Sequence, residues 1–200
     1  MRIVLFNAPP RAGKDAAADA VLDSGLAYAV KLKFANILKD RTHALYGLSC
    51  DTNAFEDSKD EVSDLFHGLT PRQAYIAVSE TYFKKVHGEA FFGHLLAEQI
   101  EAEDTGEDDD LIVVSDSGFR AEAEVIVSAV GASNVTLVRI HREGHDFRSD
   151  SRGYIDLSDL GVRTIDVHND RTLVHFQAAV RKIVEALLAG TLDHDATVRA

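Results

Sequence analysis

Short apolar runs alternate with segments of helical periodicity along this chain, and this alternation constrains its fold more than any other feature. The apolar runs predict five strands, at residues 2–6, 28–32, 111–116, 135–140 and 162–167. Helical spacing predicts helices at residues 14–22, 34–46, 71–86, 94–103, 121–130 and 173–188. Strands separated by helices require a parallel sheet with right-handed crossovers. We therefore expect an α/β fold, with a five-stranded, mostly parallel sheet and helices on both faces.

Size and composition indicate one domain. A chain of 200 residues that is 46% hydrophobic buries about 70% of its extended surface, which is enough for one core. We place this domain at 1–192, with a helical insert at about 47–105, and expect a frayed tail at 193–200. The single cysteine, Cys50, excludes an internal disulfide, and no run approaches the roughly 18 apolar residues of a membrane span. Because the first apolar run is too short for a signal peptide, we expect a cytoplasmic protein with no membrane partner.

The charge of the chain is strongly acidic. Its net charge is −12 at pH 7, from 33 Asp and Glu residues against 21 Lys and Arg residues. Such a surface repels polyanions, which disfavours tight nonspecific binding of duplex DNA and favours a small partner. Much of the excess lies at 101–110 (EAEDTGEDDD). We interpret this run as a solvated loop, because its carboxylates lack the spacing of a calcium loop.

The segment NAPPRAGKD, residues 7–15, connects the first strand to the first helix. A loop of the form GxxxxGK[ST] in this position binds phosphate, because backbone amides and a helix N-terminus converge on the anion while the lysine reaches the outer phosphates. Ala8 and Asp15 replace the first glycine and the hydroxyl residue of that pattern. The amides that remain available belong to Arg11, Ala12, Gly13, Lys14, Asp15 and Ala16. We interpret the segment as an anion cradle; the alternative is a plain turn with an incidental Gly-Lys pair.

Further segments carry a resemblance beyond this loop. In order along the chain they are RAGKDAAAD, FANILKDRTHALYGL, TPRQAYIAVSETYF, SDSGFRAEAE and DVHNDRTL. They resemble the bacteriophage deoxynucleoside monophosphate kinases, a branch of the P-loop kinases with a Gly-Lys-Asp phosphate loop, over nearly the whole chain. The resemblance implies a P-loop kinase three-layer sandwich with a mobile lid at about 141–156, and ATP and Mg²⁺ as cofactors. At 116–120 the chain reads Asp-Ser-Gly-Phe-Arg where the family often has Asp-Val-Arg-Phe, so the arginine has moved.

Five residues are predicted to be catalytic: Lys14, Asp15, Asp116, Arg142 and Arg152. Asp116 follows a strand whose carboxyl end borders the ligand crevice, so we expect it near Mg²⁺ or the attacking oxygen. A carboxylate at position 15 requires Mg²⁺ or its waters between itself and a triphosphate. Asp15 and Asp116 are therefore the predicted metal residues, with contact through water. The alternative for Asp116 is a cap on the helix that follows it.

Four arginines, at 139, 142, 148 and 152, lie at the end of the fourth strand or just past it, in an otherwise acidic chain. The resemblance implies a lid that brings arginines onto the β and γ phosphates of the donor and excludes water. Arg142 and Arg152 are the leading contacts, and Arg148 is the next. In the alternative, these arginines pair with the nearby Asp146, Asp150 and Asp156.

The acceptor is predicted to contact Lys39, Arg72, Glu80 and Arg120, on the matching segments of the resemblance. The alternatives are a solvated helix face for Lys39, an ion pair of Arg72 with Glu56 or Asp60, and an ion pair of Arg120 with Glu124. Glu80 would form a base pocket with Tyr82, Phe91 and Phe92, whose alternative is a plain core role.

Two further positions complete the predicted site. Asn169, in a His-Asn-Asp turn after the last strand, either contacts the donor base, as the resemblance implies, or caps the final helix with Asp170. Cys50 is not expected to act as a nucleophile, because no histidine is placed in the sequence to activate it.

Three functions remain open. The first is transfer of the γ-phosphoryl group of ATP to a deoxynucleoside monophosphate, in phage nucleotide metabolism within the host cytoplasm. The second is phosphorylation of a hydroxymethylated pyrimidine of the 5-hydroxymethyluracil type in phage DNA, which would make DNA a polymer acceptor. The third is a non-catalytic nucleotide-binding protein, suggested by the missing glycine and hydroxyl. The sequence leaves open the acceptor base and whether the protein is a homodimer.

Overall fold

Parallel strands form the centre of the fold. The computed structural model describes residues 1–107, 110–148, 150–193 and 196–200. Its strands are β1 (Arg2–Asn7), β2 (Ala29–Leu32), β3 (Leu111–Val114), β4 (Val135–His141), β5 (Arg163–His168) and β6 (Ala196–Arg199). Its helices are α1 (Lys14–Leu22), α2 (Phe34–Leu45), α3 (Pro71–Val78), α4 (Lys84–His87), α5 (Phe91–Glu103), α6 (Arg120–Val130) and α7 (Leu173–Leu188). The strands pair in the order β2-β3-β1-β4-β5-β6, and each of these pairs is parallel.

Helices cover both faces of the sheet. In β1, Val4 and Phe6 pack in a core with α1 and α7, whereas Ile3 and Leu5 pack in a second core with α2, α5 and α6. All four residues of β3 are buried, as a parallel strand covered on both sides requires. The predicted α/β architecture, with a parallel sheet between two helical layers, is confirmed.

Most predicted elements lie where the apolar pattern put them, and α1 and α7 have the predicted bounds. The predicted helix at 71–86 begins as expected, because Thr70 caps it and Gln73 completes a capping box. Its interior differs from the prediction: α3 leads into a π-helical stretch, Ser79–Phe83, and then into α4. Such stretches interrupt helices at functional sites more often than elsewhere, and this one carries Glu80.

The carboxyl-terminal segment forms a sixth strand, so the predicted frayed tail and the predicted five-stranded sheet are wrong there. β6 adds to the edge of β5, and the amide of Ala200 donates to the carbonyl of His168 at 2.9 Å. The run ATVR is too short to predict a strand by itself, and pairing with an existing edge supplies the missing hydrogen bonds. The rest of the predicted tail includes 194 and 195, which lie outside the described residues.

Phe66, in the segment between α2 and α3, packs with Ala74 and Tyr75 of α3 in a small core of its own. In the sheet, β2 and β3 lie on one side of β1, and β4 lies on the other side. The chain reaches β2 from β1 through α1, and it reaches β4 from β3 through α6. The carboxyl ends of β1 and β3 therefore border a crevice of the kind in which parallel α/β sheets bind ligands. No helix in the described ranges has the length and apolar character of a membrane span.

Candidate functional site

A tight loop leads from β1 into α1 at this crevice. Arg11 has φ 62° and Gly13 has φ 113°, both in the left-handed region. A Cβ at position 13 would lie 2.8 Å from Nδ2 of Asn169 and 3.1 Å from Cε1 of Phe176, so both conformation and space require glycine there. Backbone amides at the start of such a helix are the donors that anions use. The loop thus has the location and shape predicted for the anion cradle.

Lys14 is the first residue of α1 and lies at the mouth of the crevice. Burial, and after it the charge of Arg152, lowers the pKa of Lys14, whereas Asp15, Asp116 and Asp150 raise it. The structure therefore brings two predicted cations and two predicted carboxylates into electrostatic range of one another. An anion between Lys14 and Arg152 would be attracted by both cations and would reduce their mutual repulsion.

Asp15 occupies the position of the hydroxyl residue. Two lysines hold its carboxylate: Lys31, in β2, and Lys33, just after β2. Its Oδ1 accepts from Lys33 Nζ at 2.7 Å and lies 3.7 Å from Lys31 Nζ. Burial by itself would raise the pKa of Asp15, but the hydrogen bond from Lys33 and the nearby ammonium charges hold it below its ordinary value. Asp15 is therefore ionised at neutral pH and can attract a hydrated cation.

Asp116 lies directly after β3 and caps a helix, but not the helix that follows it. Its two carboxylate oxygens accept the amides of Phe34 at 3.0 Å and Ala35 at 2.8 Å, at the start of α2. The alternative prediction, a cap on α6, is wrong because the crossover places α2 beside the end of β3. Burial raises the pKa of Asp116, and the two amides oppose that shift.

Within the described ranges, no magnesium site composed of protein side chains is seen. The described residues contain no group of three His, Cys, Asp or Glu side chains suited to a metal ion. Mg²⁺ commonly keeps several waters and takes one or two carboxylates together with substrate phosphates. Asp15 and Asp116, which both act on the pKa of Lys14, fit that sparse pattern, and their role as metal residues remains a prediction.

Arg152 reaches the crevice from the arginine-rich segment after β4. Its Nε and Nη2 donate to the two carboxylate oxygens of Asp150, at 2.8 Å and 2.5 Å. This ion pair was the alternative prediction for Arg152, and it holds the guanidinium close enough to Lys14 to lower the pKa of that residue. Arg152 therefore both pairs with Asp150 and lies near Lys14.

The other arginines of this segment differ in position. Nη1 of Arg142 donates to the backbone carbonyl of Arg11 at 3.0 Å, which places it on the loop between β1 and α1. Arg148 pairs with Asp146 and its side chain is 90% exposed, so the structure does not bring it to the site.

Asn7, the last residue of β1, joins three parts of the site, and sequence reasoning missed it. Its Nδ2 donates to the carbonyls of Ser117 at 2.8 Å and Gly153 at 2.9 Å, and its Oδ1 accepts from the amide of Ile155 at 3.1 Å. The side chain is fully buried. A polar residue that ends an otherwise apolar strand, next to a phosphate loop, was the available signal.

Asn169 contacts the loop between β1 and α1 instead of capping the last helix. Its Nδ2 donates to the carbonyl of Ala12 at 2.9 Å. The alternative prediction, a cap on α7, is wrong because Thr172 occupies that position and accepts from the amide of His175. The contact with the donor base remains a prediction.

Beside Asn169 lies a cavity of about 340 Å³ whose walls include aromatic rings. The ring of His141 stacks near Tyr154 and His168, with centroid distances of 4.5 Å and 5.0 Å. Nε2 of His141 lies 2.5 Å from Oδ1 of Asp166, which fixes the ring. Arg142 also lines the cavity, so a planar group bound there would adjoin the phosphate loop.

On the acceptor side, three predicted contacts form ion pairs within the protein. Arg72 and Arg120 pair with residues named as their alternatives, whereas Lys39 pairs with Glu56 instead of lying on a solvated helix face. Lys39 Nζ lies 2.7 Å from Glu56, and Arg72 Nε lies 2.6 Å from Asp60. Arg120 donates to Glu124 at 2.6 Å and to Asp159 at 2.7 Å, and these bonds raise its pKa. Arg152 is among the charges that act on the pKa of Arg72, so the two guanidinium groups lie within electrostatic range of each other.

A buried charged group that the sequence did not reveal lies next to Glu80. Lys84 is 5% exposed, donates to Glu80 at 2.9 Å and lies 3.5 Å above the ring centroid of Phe119. Glu122, on α6, is 3% exposed, and Lys84 is the cation that acts on its pKa. Phe92 is buried, whereas Tyr82 is 45% exposed. Lys84 and Glu122 lie on helix faces that are otherwise apolar. A charged residue on such a face was the available sign of a buried charge, and the sequence analysis did not use it.

The buried carboxyl of Glu122 predicts an unusual pH dependence of stability. Burial raises the pKa of Glu122 to about 8, so the folded protein holds a proton that the unfolded chain releases near the ordinary value of 4.5. Stability therefore falls as pH rises from about 4.5 to about 8. Glu122→Gln removes this loss, and its advantage over wild type in urea denaturation is expected to grow by up to about 1.4 kcal/mol per pH unit across that window.

Glu185→Gln, at an exposed position of α7, is the matched control and is expected to show no such trend. If Glu122→Gln and wild type kept a constant stability difference between pH 5 and pH 8, the raised pKa would be refuted.

The sequence predicted that no histidine lies near Cys50 to activate it as a nucleophile, and this prediction is wrong. Its Sγ lies 3.6 Å from Nδ1 of His43, whose Nε2 lies 2.9 Å from the hydroxyl of Tyr75. The turn after α2 brings Cys50 back against His43 of α2, a contact that the spacing in the sequence did not predict.

Comparisons with known proteins give a limited result. The chain matches no known family profile and no curated protein. Among solved structures it is similar to an unliganded sugar kinase from Janibacter sp. HTCC2649, at 12% identity and a TM-score of 0.47, over 97% of this chain and 99% of that one. It is also similar to a gluconokinase from Sinorhizobium meliloti 1021, at 10% identity and a TM-score of 0.43, over 95% of this chain and 97% of that one. At these identities the similarity carries no information on the substrate.

Proposed function

We propose that this protein is a P-loop kinase that transfers the γ-phosphoryl group of ATP, with Mg²⁺, to a deoxynucleoside monophosphate. The observation that carries the proposal is the convergence of Lys14, Arg152 and Asp116 at the carboxyl ends of β1 and β3. These groups adjoin the loop that leads into α1, in which Arg11 and Gly13 have left-handed backbone conformations. Phosphoryl transfer depends mainly on positioning and on cations that spread the charge of the moving group. The convergence supplies both requirements.

The donor would lie with its polyphosphate on the loop at Arg11 to Ala16 and its base in the ring-lined cavity. Arg142 links the two places, because it contacts the loop and lines the cavity. Asn169 holds the loop from the side of that cavity. Bound Mg²⁺ would neutralise part of the phosphate charge, and Asp15 and Asp116 would hold its waters.

The acceptor would enter from the insert. Arg72 is the cation best placed for its phosphate, since its present partner, Asp60, is exposed and an exposed ion pair exchanges at little cost. Glu80 and Lys84 would bound the base side. Asp116, held rigidly by two amides, would orient the attacking oxygen toward the γ-phosphoryl group.

A second function keeps the chemistry but uses a hydroxyl of a hydroxymethylated pyrimidine in DNA. The observation that favours it is that Arg120, the arginine nearest to the family position, is engaged with Glu124 and Asp159 and leaves the acceptor side with fewer cations. The net charge of −12 opposes a polymer acceptor.

The test is release of ADP from ATP and Mg²⁺ with each of the four common deoxynucleoside monophosphates, with plain DNA and with DNA containing 5-hydroxymethyluracil. Turnover with a monophosphate supports the first function, and turnover with the modified DNA alone supports the second. ATP binding without turnover on any acceptor would instead indicate a non-catalytic nucleotide-binding protein and refute the kinase proposal.

A further inference from the structure

Gly118, in the loop after β3, lies directly under the side chain of Arg152. A Cβ at position 118 would lie 2.8 Å from Cβ and 2.6 Å from Cγ of Arg152, and closer still to Cδ. Real Cβ contacts essentially never fall below 3.0 Å. The conflicting atoms belong to the root and middle of the arginine, so rotation of its far end would not relieve the conflict.

The backbone of Gly118 does not itself require glycine. Its φ is not among the positive values that the structure shows for other glycines. An L-residue could therefore adopt this conformation, and only the volume taken by Arg152 excludes a side chain. Glycine at this position is explained by its contact with Arg152.

The two backbones on either side of this contact are fixed. The amide of Gly153 donates to the carbonyl of Gly118 at 3.4 Å. The buried side chain of Asn7 donates to both Ser117 and Gly153. Because this frame cannot widen without breaking buried hydrogen bonds, a side chain at position 118 would displace the arginine and not the loop.

Asp150 fixes the other end of Arg152. It accepts from Nε and Nη2 of the guanidinium and from the backbone amide of Arg152 at 3.0 Å. The side chains of Arg152 and Asp150 are 26% and 14% exposed. A bidentate pair with this little exposure fixes the plane of the guanidinium as well as its place.

We propose that Gly118 and Asp150 are positioning residues, which hold Arg152 over the loop after β3 so that its guanidinium meets the phosphoryl group in transfer. This inference rests on the kinase function proposed above. Because Gly118 has no side chain, it leaves the space that the side chain of Arg152 occupies. Asp150 orients the guanidinium of Arg152 and balances its positive charge beside Lys14 until a phosphate is bound.

The kinetic test compares Gly118→Ala with Gly153→Ala. A Cβ at position 153 meets no heavy atom within 4 Å, so this variant changes a glycine of the same frame without a conflict. We expect Gly118→Ala to lower kcat roughly 100-fold with little change in KM for ATP, and Gly153→Ala to behave as wild type. Asp150→Asn, which keeps the shape but not the charge, is expected to lower kcat roughly tenfold.

A double-mutant cycle separates positioning from a general structural role. If Gly118 acts through Arg152, Gly118→Ala combined with Arg152→Ala has the same kcat as Arg152→Ala alone. Additive losses, or equal losses in Gly118→Ala and Gly153→Ala, would overturn the inference.

A readout without turnover makes failure of this inference distinguishable from failure of the kinase function. The Nε–Hε signal of Arg152 in a nitrogen–proton NMR spectrum is assigned by its loss in Arg152→Ala. We expect it to shift or disappear in Gly118→Ala and to stay in place in Gly153→Ala. An unchanged signal in Gly118→Ala contradicts the inference whether or not wild type phosphorylates any acceptor.

Discussion

Lys14→Met is expected to lower kcat for phosphoryl transfer by about 1,000-fold or more, in the range found when a cation is removed from such a transition state. The ammonium lies at the first turn of α1, within electrostatic range of Arg152, Asp15 and Asp116. The measurement is ADP release with the best acceptor of the panel, together with the affinity for a fluorescent ATP analogue.

The same substitution is not expected to destabilise the protein without nucleotide. Burial lowers the pKa of Lys14, which means that the charged form is less favourable in the folded state than in the unfolded chain. Removing the charge should therefore leave the urea midpoint unchanged or raise it, as is common where a site stores unfavourable charge for function.

Lys182→Met, on the exposed side of α7, is the matched control and should change neither kcat nor nucleotide affinity. Substantial residual transfer by Lys14→Met, or an equal loss in Lys182→Met, would remove the basis of the proposed function.

Asn7→Ala is expected to lower the free energy of unfolding by about 3 kcal/mol. The substitution deprives the carbonyls of Ser117 and Gly153 and the amide of Ile155 of their partner. Buried groups left without hydrogen bonds cost more than the bond itself contributes. Equilibrium denaturation in urea measures the loss.

Asn134→Ala is the control, because that side chain donates to Val130 at 2.7 Å from an exposed position, and its effect should stay within about 1 kcal/mol. Asn7→Asp gives a sharper test, since it puts a carboxylate oxygen against two carbonyls where Nδ2 donated. It should be at least as destabilising as Asn7→Ala at neutral pH and recover partly in acid. Equal stability of wild type and Asn7→Ala would show that the frame around Arg152 does not depend on Asn7.

The sequence predicted the layers of the fold because its apolar runs are long enough to specify buried strands and helices. α1, α7 and β3 were recognisable from composition and period alone. The π-helical stretch was not, because no residue pattern in Ser79–Phe83 distinguishes it from an α-helix. β6 was not, because it depends on an edge that β5 provides.

The site divides in the same way. The sequence by itself determined the tight loop between β1 and α1, because Gly13 and Lys14 act through backbone conformation and helix position, which neighbouring residues control. Only the tertiary structure decided that Asp116 caps α2, that Asn7 joins the loop after β3 to the segment between β4 and β5, and that Arg152 crosses Gly118. These contacts join residues that lie 30 to more than 100 positions apart. They exist because parallel crossovers bring the carboxyl ends of β1 and β3 to one edge of the sheet, a consequence of chain topology that no single segment encodes.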